Sequence, residues 1–186
     1  LVALLGFHPG RASAAGDPPT ATIPTDAVGG FAAAAALERD GASSEVRYVV
    51  DWIATASDNQ AMPYLIVDKV DARVYMFDAA GRLAGTAAAL LGMERGDGSA
   101  DGLGKRALAA IGPEQRTTPA GRFVASLGLD LTGQDILWVD YATSLALHRV
   151  VKGTPSERRA QQLGDTRPRG RRLLRCFTLG GGPDEG

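Results

Sequence analysis

The apolar positions of this chain change period at Pro63. Upstream of it, Val46, Val49, Val50 and Ile53 recur at the spacing of one helix face, and either Ser43 or Ser44 can cap that helix. Ala27 to Arg39 is alanine-rich and breaks at Gly41, which predicts an earlier helix. Downstream, the apolar runs shorten and turn β-branched or aromatic. Tyr64 to Val67 and Arg73 to Phe77 read as strands, and Leu83 to Leu91 as a third, entered through a turn at Ala79 to Arg82. Gly92 to Gly104 holds five glycines and four charged residues and predicts a mobile surface loop. Phe123 to Leu127, Ile136 to Tyr141 and Ser144 to Val150 are further strands, and Thr154 to Leu163 opens with Thr-Pro as a helix does. The fold class expected is mainly β with attached helices (α+β), built on antiparallel strands.

The ends read differently from the body. Leu1 to Phe7 is apolar, Arg11 follows, and Ala12-Ser13-Ala14 has the A-x-A form of a secretory cleavage site. The run is too short to span a bilayer, so residues 1–14 are expected to be the remnant of an export signal, with no stable membrane insertion. Residues 15–62 then form a linker and helical preface, 63–163 a β-rich domain, and 164–186 an atypical basic tail.

Charge sharpens that division. The 186 residues carry 20 Lys and Arg against 21 Asp and Glu, a net charge of −1. Yet nine basic and two acidic residues lie between Arg149 and Arg175. Only Phe177 stands near these arginines, so the aromatic interleaving of a nucleic-acid binder is missing. A solvated tail, or contact with anionic wall polymer, fits better.

Cysteine and histidine counts exclude more. One cysteine, Cys176, and two histidines, His8 and His148, allow neither an intramolecular disulfide nor a zinc site of four cysteines or of two cysteines and two histidines. No metal is expected. Ser99 stands where a phosphate loop ending at Lys105 needs its first glycine, and Gly102, Gly104 and Ala107 lack the strand that a dinucleotide site requires. No organic cofactor is expected either.

Three features then fall in order. Tyr64 to Gly92 is a strand, turn, strand, turn and strand closing on a glycine. Thr118-Pro119-Ala120-Gly121-Arg122-Phe123 follows, and His148 ends an apolar strand with Cys176 downstream. This resembles the L,D-transpeptidase family, the YkuD-like cysteine acyltransferases of bacterial cell walls, over about Tyr64 to Arg159. The resemblance implies a β-sandwich catalytic domain acting on peptidoglycan stem peptides, exported to the periplasm or associated with the wall. It implies Cys176 as nucleophile, His148 as the imidazole taking its proton, and the Arg149 carbonyl as the group orienting the ring. The thiolate is the reactive form of a cysteine, and a neighbouring imidazolium stabilises it.

One departure stands out. The family places a glycine before the cysteine, where a tight turn aims backbone N–H groups at the oxyanion, and this chain has Arg175. Cys176 therefore stays open between a nucleophile in a diverged loop, an incidental cysteine in a truncated or out-of-frame tail beginning near Gly164, and a buried core thiol. His148 is open between catalytic base and satisfied strand histidine. Trp138 and Tyr141 are candidates for packing or for lining a substrate groove. Two functions follow: a transpeptidase or L,D-carboxypeptidase, or a catalytically inactive wall-binding module.

Overall fold

The computed structural model describes residues 2–8, 36–38, 40–100, 102–106, 110–130 and 133–148. The chain is mainly β with few helices. Its strands are β1 (Val2–His8), β2 (Tyr64–Asp68), β3 (Arg73–Phe77), β4 (Leu83–Ala88), β5 (Arg122–Leu129), β6 (Asp135–Asp140) and β7 (Leu145–His148). Two antiparallel three-stranded meanders, β2-β3-β4 and β5-β6-β7, lie on either side of β1. β1 runs antiparallel to β2 and parallel to β5, with Leu4 opposite Ile66 on one side and Arg122 on the other. The seven strands thus form one sheet in the order β4-β3-β2-β1-β5-β6-β7.

The segment that reads as a signal remnant is therefore the strand joining both halves of this sheet. Cleavage after Ala14 would remove it and leave the inner edges of β2 and β5 unpaired. The signal pattern and a central strand share one apolar composition, which explains why hydropathy alone does not separate them.

Helix α1 (Ser44–Ala56) follows the predicted periodicity. Ser43 caps it, its Oγ accepting from the Val46 N–H at 3.3 Å, and Ser57 closes it in the left-handed conformation with φ 52°. Val46, Val50 and Ile53 pack on Tyr64, Ile66, Tyr75 and Phe77 in one buried cluster. Each such side chain contributes roughly 1.5–3 kcal/mol by burial. The preface is thus continuous with the core of the first meander. Tyr64 and Phe77 stack at 4.6 Å, and burial, aided by the Asp78 carboxylate, pushes the Tyr64 phenol up to about 12.

Strand alternation gives the sheet two faces. Tyr64, Ile66, Tyr75 and Phe77 point to the helix face. Leu65, Val67, Ala125 and Val139 point to the opposite, loop face, where Leu91 joins their cluster and Ala89, Phe123, Leu137, Leu145 and Leu147 pack against it.

One buried carboxylate ties α1 to the first hairpin. Asp68, 1% exposed, accepts from Ser43 Oγ at 2.7 Å through Oδ2, and from the Val70 and Asp71 N–H groups at 2.8 and 3.1 Å through Oδ1. The same residue holds the helix cap and the β2-β3 turn. Removing a buried acceptor leaves its donors without partners at about 1–3 kcal/mol each. Asp68→Ala is expected to lower unfolding stability by roughly 3 kcal/mol or more in urea titration, while Asp71→Ala, which keeps both backbone donors, should cost under about 1 kcal/mol.

Candidate functional site

Gly92, four residues beyond β4, meets the Thr-Pro segment directly. Gly92 donates its N–H to Thr118 Oγ1 at 2.8 Å, and Glu94 N–H donates to the Arg116 carbonyl at 3.1 Å. A Cβ built on Gly92 would overlap the Arg116 carbonyl oxygen and crowd the Thr117–Thr118 peptide. Only glycine lets the two backbones approach this closely. Two motif pieces far apart in sequence are thus in contact, and Pro119, buried behind them, leads into β5.

The glycine-rich segment between them is tethered. Lys69 Nζ, on a side chain only 13% exposed, bonds the Gly96 carbonyl and Asp97 Oδ1, both at 2.6 Å. Ala120 N–H donates to the Asp97 carbonyl at 3.0 Å, and Thr117 Oγ1 donates to the Gly98 carbonyl at 2.5 Å. Composition predicts a mobile surface loop here, and in the structure backbone acceptors and one lysine tie it to the loop face. Beyond it a small cleft opens among Leu103, Ile111, Arg116, Pro119, Thr143 and Leu145. Arg116 gives Nε to the Ile111 carbonyl at 3.0 Å, so its guanidinium is engaged by its own loop. His148 and Trp138 do not line this cleft.

His148 belongs to the other side. Its Cα partner on β6 is Ile136, which pairs in turn with Gly128 of β5, while Trp138 pairs with Ser126 and Ala146. Through β1, Arg122 is in register with Ile66 of the helix face. Alternation along β5, β6 and β7 therefore puts Arg122, Val124, Ser126, Trp138 and His148 on the helix face of the second meander. His148 is half-buried, whereas Val124 is 62% exposed. Arg122 Nε donates to Asp58 Oδ2 at 2.6 Å, linking the residues just beyond α1 to the start of β5.

Trp138 and Tyr141 come together as stacked rings, centroids 4.7 Å apart and 23° between planes. Gly128 provides the seat: a Cβ there would come within 3.0 Å of the Trp138 ring. Sequence reasoning singled out both aromatic residues but missed Gly128, whose signal is a lone glycine inside an alternating strand. It also missed Arg122 as the link to α1. Arg149 and Cys176 lie outside the described residues, so the structure gives no distance from either to His148. Among the described residues no cluster of three or more His, Cys, Asp or Glu side chains could hold a metal ion.

The Lys69 tether carries a pH dependence. Its hydrogen bond first, and its charge second, hold the Asp97 carboxyl below the ordinary value of 3.8. A depressed folded-state value means that the contribution is complete above the ordinary carboxylate range and is lost as pH falls through the depressed value. The excess protease sensitivity of Asp97→Asn over the parent in the 92–104 segment should be constant at neutral pH and shrink to nothing on acidification below that range. A difference that persists in acid would dissociate Asp97 from the tether.

Comparisons with protein-family models, with curated proteins and with solved structures find no match to this chain.

Proposed function

We propose that the chain is an exported, peptidoglycan L,D-transpeptidase-like cysteine acyltransferase with a YkuD-like catalytic domain. The observation that carries this reading is the junction of Gly92 with Thr118: the glycine that follows the three opening strands and the T-P-x-G-x-F segment, 26 residues apart in sequence, are packed against each other. His148 at the end of a strand, on a sheet face with Trp138 and Ser126, is consistent with it.

In the proposed reaction His148 takes the proton of Cys176, and the thiolate attacks the stem-peptide carbonyl that joins an L-centre to the departing D-residue. A C–S bond forms and the C–N bond breaks, with the proton passing from the imidazolium to the leaving amine. An acceptor amine or water then attacks the thioester carbonyl, giving its proton to the imidazole as the thiolate leaves. An amine acceptor yields a cross-link, and water yields carboxypeptidase activity. The Arg149 carbonyl orients the ring. No metal or organic cofactor enters these steps, and the partners are stem peptides, not nucleic acid. No described helix is long and apolar enough to cross a membrane.

The proposed export rests on this substrate. It competes at residues 2–8 with their place in the sheet, because signal cleavage after Ala14 would take β1 away. A second reading, an inactive wall-binding module, is favoured by Arg175, which precedes Cys176 where the resembled family has a glycine.

A carbapenem, which acylates active members of the resembled family, separates the two. Intact-mass analysis should show one adduct, mapped to Cys176, absent in Cys176→Ala and formed at least about 100-fold more slowly in His148→Ala. An unlabelled, folded protein that still sediments with peptidoglycan would establish the module instead.

A further inference from the structure

The chain has two tryptophans, Trp52 and Trp138, and both reach the surface, while its two largest buried rings are tyrosines. Trp138 is part of a built surface. Its ring rests on the bare backbone of Gly128, and Tyr141, 57% exposed, stacks upon it. Val124, 62% exposed, precedes by two residues on the same face the exposed Ser126, which lies directly across from Trp138. The Ser126 hydroxyl and the Tyr141 phenol have no hydrogen-bond partner among the described residues. The surface is thus a stacked pair of rings with two hydroxyls at its margin that no described residue engages.

Charge narrows what fits there. On β5, β6 and β7 the cationic side chain that shares this face with His148 is Arg122, and Asp58 holds it. Asp140 is spent on Thr143 Oγ1 at 2.6 Å and on the Ala142 N–H at 3.1 Å. The charged residues that these strands place on this face, Arg122 and Asp140, are thus committed to partners within the chain. A pyranose ring matches: its polarised C–H groups meet the negative face of an aromatic ring, and its hydroxyls meet hydroxyls. We propose that the Trp138–Tyr141 platform binds a sugar ring of an uncharged glycan, the polysaccharide that carries the stem peptides. This rests on the acyltransferase reading for the identity of the polymer. The ladder puts Trp138 two residues from the level of His148 on the same face, about 7 Å along the strand. A sugar stacked on the platform would direct its attached peptide across that distance toward the imidazole.

Trp138 is its own reporter. In the full chain carrying Trp52→Phe, titration with the tetrasaccharide of β-1,4-linked N-acetylglucosamine should change Trp138 emission saturably. Adding Tyr141→Ala should weaken binding roughly tenfold, the scale of a lost stacking contact, while Tyr141→Phe should stay within about threefold. A flat titration, a curve indifferent to Tyr141→Ala, or an equal response in a Trp138→Phe protein reporting through Trp52 would each overturn the platform. Saturable binding without carbapenem labelling removes the acyltransferase reading alone, and labelling with a flat titration removes the platform alone.

Discussion

Asp68 is the point on which the first half of the molecule hangs. A carboxylate 1% exposed must find partners for its lone pairs, and those partners come from two different places. Ser43, at the head of α1, supplies one, and the β2-β3 turn supplies two. Once the carboxylate is satisfied, the start of the helix is fixed over the end of the strand, and the apolar stripe of α1 falls on Tyr64, Ile66, Tyr75 and Phe77. The next residue, Lys69, extends the same anchor across the sheet to Gly96 and Asp97. Asp97 in turn accepts from Ala120 through its carbonyl, two residues before β5. A short series of hydrogen bonds therefore runs from the helix cap to the strand that begins the second meander.

That series matters because it sets the two halves of the sheet by side-chain and loop contacts as well as by β1. Strand pairing through β1 aligns β2 with β5, and the Gly92–Thr118 contact fixes the same relation from the loop face. Exposed links such as Arg122–Asp58 add little energy, on the order of 0–1 kcal/mol, but they define where α1 ends relative to β5. The helix face of the second meander, with His148, Trp138 and Tyr141, is what this framework presents.

Much of this was legible in the residues. Strand-forming runs at Tyr64, Arg73 and Ile136 announce β2, β3 and β6 nearly to the residue, since β-branched and aromatic side chains with turn signals between them leave few alternatives. Ser43 and the valine spacing announce α1 equally well. β4 is shorter than its alanine run suggested, ending at Ala88. β1 reads as an export-signal remnant in the sequence, because a central strand and such a signal share one composition and only pairing shows the strand. The tethered glycine-rich segment was hidden for a related reason: its hydrogen bonds go largely to backbone carbonyls, which no side-chain pattern records. Of the site, the choice of His148, Trp138 and Tyr141 came from sequence, and the stacking on Gly128 only from the fold.

The proposed reaction turns on a thiol activated by an imidazole 28 residues before it in the sequence. The pH dependence of Cys176 alkylation, compared between the parent chain and His148→Ala, addresses that pairing directly. A thiolate held by His148 should react well below the ordinary cysteine value of about 8.5, and the curve should move up to that value when the imidazole is removed. Superimposable curves in the two proteins would mean that His148 does not activate Cys176.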